Sequence, residues 1–121
     1  MATLTPTLTL TSTDASSDSL ALSVTDSLTV GNPAVSVARQ EVSTSGQFNI
    51  LTAAGNTGIS YVYVKNIDST NIITLKSDEG NSFLDLSPGE FAFFPMKGAI
   101  GLEATANVAA CVLEYAYWTK A

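Results

Sequence analysis

The chain has 121 residues and a formal charge of −6, with 11 acidic residues against 5 basic ones. It has no histidine and one cysteine, which excludes Ser-His-Asp and Cys-His catalysis, histidine-liganded metal sites, internal disulfides and cysteine-rich zinc sites. The length predicts one domain, and the basic residues Arg39, Lys65, Lys76, Lys97 and Lys120 are too scattered for nucleic acid or an anionic membrane to be expected partners.

Composition shifts near residue 38. Residues 1–38 hold no basic and no aromatic side chain, and they are rich in Ser and Thr. The expected organisation is a Ser/Thr-rich N-terminal arm over 1–38 and a β-sandwich body over 39–121. The opening stretch lacks the basic and apolar regions of a signal peptide. Within the arm, Leu4, Leu8 and Leu10 alternate with Thr, and Leu20, Leu22, Val24, Leu28 and Val30 keep one parity. Period-two alternation predicts strands with one face to bury. Pro6 removes a ladder donor and so predicts an edge strand or an extended arm. Residues 14–19 form a loop by composition, and Gly31-Asn32-Pro33 a turn. The arm is too poor in aromatic residues to fold alone. Residues 1–30 are therefore expected to lie against another chain or to complete an exposed sheet edge.

The body repeats the same pattern. A strand is expected from Val35 toward Val42, followed by a turn at Ser43-Thr44-Ser45-Gly46 and alternation at Phe48 and Ile50. Gly55-Asn56-Thr57-Gly58 is a turn; it lacks the Lys and the following helix of a phosphate loop. Ile59–Ile67 is the strongest strand, and Ile72–Lys76 is its expected hairpin partner. Further strands are expected at Phe83–Leu86, Phe91–Pro95, Ala99–Ala104 and Val108–Trp118, with Ser87-Pro88-Gly89-Glu90 as a turn. No window carries a helical stripe, so the predicted fold is all-β, an antiparallel sandwich or jelly roll. Ile59–Ile67 is apolar on both faces, which calls for a second cover from the arm or from another subunit.

Few constellations could carry chemistry. Asp78, Glu79, Asp85 and Glu90 are the one grouping of carboxylates; they match no calcium loop and read as solvated turns. Cys111 reads as a small buried hydrophobe. Parity places Cys111, Leu113, Tyr115 and Tyr117 on the core face, with Val112, Glu114, Ala116 and Trp118 opposite. Trp118 is thereby a candidate contact residue. No catalytic residue is assigned, and no metal or cofactor is expected.

Three segments in order are similar to small β-sandwich virion proteins of tailed bacteriophages. They are Tyr61-Val62-Tyr63-Val64-Lys65-Asn66-Ile67-Asp68-Ser69-Thr70-Asn71, then Leu86-Ser87-Pro88-Gly89-Glu90-Phe91-Ala92-Phe93-Phe94-Pro95, then Leu113-Glu114-Tyr115-Ala116-Tyr117-Trp118. The resemblance covers residues 59–118. It implies a non-enzymatic structural protein of the virion, assembled in the host cytoplasm. The leading expectation is a capsid decoration or cement protein that binds the major capsid protein or another virion protein by strand addition and apolar contacts, as a homo-oligomer. The interface residues expected are Leu4, Leu8, Leu10, Leu20, Leu22, Val24 and Trp118. The alternatives are a tail, neck or fibre-base component and a glycan- or receptor-binding module.

Overall fold

The computed structural model of the chain describes residues 1–31 and 37–121. The turn expected at Gly31-Asn32-Pro33 and the strand start expected at Val35 fall on 32–36, outside the described residues. The fold is all-β, with every strand pair antiparallel. In chain order the strands are β1 (Ala2–Leu4), β2 (Thr7–Ser12), β3 (Leu20–Thr25), β4 (Leu28–Val42), β5 (Phe48–Leu51), β6 (Ser60–Asn66), β7 (Ile73–Ser77), β8 (Ser82–Leu86), β9 (Phe91–Met96), β10 (Leu102–Ala106) and β11 (Cys111–Lys120). One sheet runs β1-β4-β11-β6-β9 and the facing sheet runs β5-β10-β7-β8. The hairpin β2-β3 stands apart from both.

Alternation explains which faces meet. In β6 the even residues Val62, Val64 and Asn66 point inward; in β10 they are Leu102, Ala104 and Ala106. Ile73 and Leu75 of β7 and Cys111 and Leu113 of β11 complete one apolar cluster drawn from both sheets. These side chains are fully enclosed, so the two sheets form a sandwich around a single core. The parity expected for β11 holds. Cys111 and Leu113 are buried, and Tyr115 and Tyr117 pack against the core, while Val112 is exposed on the opposite face. Ala116 lies on that opposite face yet is buried, beside Tyr63 of β6.

One expectation is corrected. β7 is not the hairpin partner of β6. β6 lies between β11 and β9, whereas β7 lies between β10 and β8 in the other sheet. The reason is the buried side chain of Asn66. Its Nδ2 donates to the carbonyls of Asn71 at 2.9 Å and Leu86 at 2.8 Å, and its Oδ1 accepts from Asp68 N at 2.9 Å. The link 67–72 is thereby held as an arch across the sandwich end, so the chain changes sheets there.

The arm shares a sheet with the body. β1 pairs with the start of β4, and β4 runs on through the position of the composition shift to pair with β11 at Arg39–Val42. The main chain of Thr29 accepts from Ala121 N at 3.0 Å.

Candidate assembly surface

The arm is a β-ribbon in one unbroken register. Ala2 faces Val30 and Leu4 faces Leu28; beyond the joint, Leu8 faces Val24, Leu10 faces Leu22 and Ser12 faces Leu20. At the joint Asp26 N donates to Pro6 O at 3.2 Å. Pro6 has no N–H to return, so the ladder is interrupted there without losing register. Cross-strand partners share a face, which puts all the ribbon's leucines and valines on one side. Thr7, Thr9, Thr11, Ala21, Ser23 and Thr25 occupy the other, with the Thr7 and Thr25 hydroxyls bonded at 3.1 Å.

The base of this apolar face is covered and its outer half is not. Val30 is buried, and Leu4 and Leu28 are half-buried. Val30 lies opposite Lys120, on the Trp118 side of β11, and Pro6, Asp26 and Leu28 line a groove with Ile59, Tyr61 and Phe93. Tyr61 on that face is buried and stacks on Phe93 at 6.3 Å between ring centroids. Ile59 and Phe93 on the same face stay 42% and 39% exposed, so the second cover expected for the Ile59–Ile67 strand is not completed within the chain. Past the joint, Leu8, Leu10, Leu20, Leu22 and Val24 remain 37% to 53% exposed. A groove of about 460 Å³ lies where the ribbon leans toward the sheet, lined by Pro6, Thr7, Leu8, Val24, Thr25, Asp26 and Phe93. Strands β2 and β3 carry no charged residue.

The structure brings six of the seven expected interface residues onto this one ribbon face. Trp118 stands apart from them on β11, half-buried and opposite Tyr61. Sequence reasoning missed Phe83, which is 54% exposed on the edge strand β8; Phe91, in a segment Phe91–Phe94 that reads as apolar on both faces, is 64% exposed on the edge strand β9. The alternation of Phe83 with the inward Leu84 and Leu86 is the signal that could have found Phe83.

The polar groups serve local structure. Asp78 Oδ1 accepts from Gly101 N at 3.1 Å, Asp85 Oδ1 from the Thr74 hydroxyl at 2.7 Å, and Glu90 Oε1 from Ser87 N at 2.6 Å. These carboxylates thus act separately: Asp78 and Glu90 in turns, and Asp85, expected in a turn, within β8 against its cross-strand partner Thr74 of β7. Among the described residues no three His, Cys, Asp or Glu side chains are grouped to hold a metal ion. Cys111 is buried, its Sγ 3.4 Å from Ala109 O, and burial pushes its thiol pKa up. It should resist a thiol reagent in the native state and react on unfolding; prompt native labelling contradicts this packing.

The charged group on the outer face is Arg39, Glu114 and Tyr63. Glu114 accepts from the Tyr63 hydroxyl at 2.7 Å and from Arg39 Nε at 3.2 Å. The Tyr63 bond first, then Arg39, lowers the Glu114 pKa. Burial first, then Glu114, pushes Tyr63 up to about 12. The signs follow from linkage. The Glu114 contribution to stability is present above the ordinary carboxylate range and is lost as pH falls through the lowered value. The Tyr63 contribution is present below 10.0, the ordinary tyrosine value, and is lost as pH rises through about 12. In a tyrosinate absorbance titration one tyrosine should ionise near 12, and Glu114→Gln should bring it down. An unshifted Tyr63 in the unmodified protein contradicts the bond.

No known family matches the chain, and neither a curated protein nor a solved structure does.

Proposed function

We propose that the chain is a non-enzymatic structural protein of a virion, of the decoration or cement type, which joins an assembly through apolar contact and strand addition. The observation that carries the reading is the ribbon: an uncharged Leu/Val face with a Thr/Ser back, held out from a closed sandwich. Such a face is disfavoured in water and is at home in an interface. Thr on the back avoids the desolvation that Lys or Glu would impose beside a neighbour. The free edge of β9, flanked by Phe91, offers a second contact by strand pairing. Many copies on a lattice gain from multivalency even where each contact is weak. A glycan-binding module is less favoured, because Trp118 is half-buried and Tyr61 is stacked beneath Phe93, leaving no open aromatic platform between them.

The test is copy number. Quantitative mass spectrometry of purified particles should find the chain in stoichiometric ratio to the major capsid protein. A few copies per particle point instead to the tail or neck, and absence from particles removes the reading.

A further inference from the structure

We propose that the free edge of β9 pairs with the β9 edge of a second copy of this chain, antiparallel about a two-fold axis at Ala92. The five-stranded sheets of the two copies then join into one. The inference rests on the reading above in taking the β9 edge as an assembly contact, and it names the occupant. Hydrogen-bond directions fix which groups are free. Asn66 N donates to Glu90 O at 2.9 Å, and that pair continues the register in which Lys65 faces Phe91. The even-numbered residues of β9 therefore bond β6, and Phe91, Phe93 and Pro95 turn their main-chain groups outward. Among the described residues no strand lies beyond β9. A row of unpaired N–H and C=O groups is a template for a further strand unless a charge or a proline blunts it. β8, the edge of the facing sheet, carries Asp85. β9 carries no charge, and its one proline stands near its end.

Pro95 selects the register. With Phe91 opposite the second copy's Phe93, each residue exchanges both its N–H and its C=O, and the two-fold axis doubles this to four hydrogen bonds. Pro95 then lies just outside the ladder. A slide by one pair would set Pro95 opposite the second copy's Phe91, where its ring replaces a donor and points at a carbonyl. In the selected register Ala92 meets Ala92 on the axis. That is a pair without hydrogen bonds, where Cα atoms approach to about 4.5 Å and a methyl side chain fits. Phe91 lies beside the second copy's Phe93 on the outer face, twice over. Tyr61 already stacks on the other flank of each Phe93.

Charge selects a second copy as the occupant. The strand is flanked by Glu90 before it and Lys97 after it. Asp85 and Glu90 line one groove with Phe91, so one end of the edge is acidic and the other basic. Antiparallel pairing directs the acidic end of each copy toward the Lys97 end of the other. The two Glu90 residues fall about 14 Å apart, from about 3.4 Å per residue along the strand and about 4.8 Å across it. That exceeds a screening length of about 8 Å. On the outer face Asp26 lines the groove beside Phe93. Across the axis that row continues through the second copy's Phe91 to its Lys65 in β6, again an opposite charge.

Sedimentation equilibrium and amide hydrogen exchange of the full chain test this together. The mass should rise with concentration from 12.6 kDa toward twice that value. Over the same range exchange at the Phe91 and Phe93 amides should slow about tenfold or more, because they gain acceptors only in the pair. The Ala92 and Phe94 amides, bonded to β6, should be protected throughout. Phe91→Pro removes an outward donor and no bond to β6; it should hold the chain at the monomer mass with Cys111 still protected. Should that variant expose Cys111, the exchange pattern of the unmodified chain decides alone. A chain still monomeric at about 1 mM, a multimer whose Phe91 and Phe93 amides stay fast, or a folded Phe91→Pro variant that still associates overturns the proposal. Particle content is read separately. A β9 dimer absent from particles removes the virion reading alone, and a chain abundant in particles that never pairs through β9 removes the dimer alone.

Discussion

Replacing Asn66 by Ala should cost about 3 kcal/mol, roughly 10 °C in melting temperature. The side chain is fully buried and makes three hydrogen bonds, to Asn71 O, Leu86 O and Asp68 N. Its main chain adds two more: Asn66 N donates to Glu90 O at 2.9 Å, and Gly89 N donates to Asn66 O at 3.0 Å. One asparagine therefore holds the arch after β6, the end of β8 and the turn before β9. Alanine keeps the main-chain bonds and strands three partners, each worth about 1 kcal/mol. Asn66→Asp is more diagnostic. It replaces two donors with a carboxylate facing two carbonyls, which raises that group's folded pKa. Its stability should be greatest in acid and fall as pH rises through the raised value. Exposed Asn49→Ala should change stability by less than about 0.5 kcal/mol. Equal effects at Asn66 and Asn49 contradict this assignment.

At the opposite end of β6, Gly98→Ala should destabilise by about 2 kcal/mol. A Cβ at Gly98 would lie 2.9 Å from the carbonyl oxygen of Gly58 and 3.0 Å from its carbon. Neither side can give way easily. Buried Asn56 donates to Lys97 O at 2.7 Å and Ile100 O at 2.9 Å, and its own carbonyl accepts from Ala99 N at 2.6 Å. Ser60 in turn donates to Asn56 Oδ1 at 2.8 Å. The loop 97–100 is thus wrapped around Asn56, and Ala99 sits at φ 65 within it. Gly58→Ala supplies the contrast. A Cβ there meets nothing within 4 Å and no positive φ is required, so that substitution should be neutral or slightly stabilising. The two differential scanning calorimetry curves should shift in different directions or by clearly different amounts. Matching shifts remove the close approach as the cause.

Alternation made most strands legible. The parity of Cys111–Trp118 and of the ribbon leucines followed from period two, because a sheet has only two faces. The pairing of those strands did not follow. Asp68-Ser69-Thr70-Asn71 has the composition of a hairpin turn, and composition does not distinguish a turn within a sheet from an arch between sheets. That distinction rests on where Asn66 sends its amide bonds, to a carbonyl 20 residues away. Asn56 was invisible because asparagine in a loop reads as turn chemistry whether exposed or buried, and Asn66 because it falls at the end of a strand whose pattern says nothing of where an amide bonds. The similar-looking segments around Asn66 and Pro88-Gly89-Glu90 do meet in space, as one hydrogen-bonded end of the sandwich.

The ribbon was partly legible. Its one-sided apolar pattern identified a face in need of cover. What composition did not reveal is that the same face serves two purposes. Its base is buried or half-buried within the chain at Leu4, Leu28 and Val30, while its outer half stays open past Pro6. The difference lies in one joint, where a proline without a donor and Asp26 interrupt the ladder while the register carries on.

The most direct measurement of the central claim is a density map of the purified particle. The proposal predicts this sandwich, with its ribbon, at symmetry-related positions on the outer surface of the capsid shell. A capsid surface without it, or the same fold found only in the tail, would contradict a decoration role.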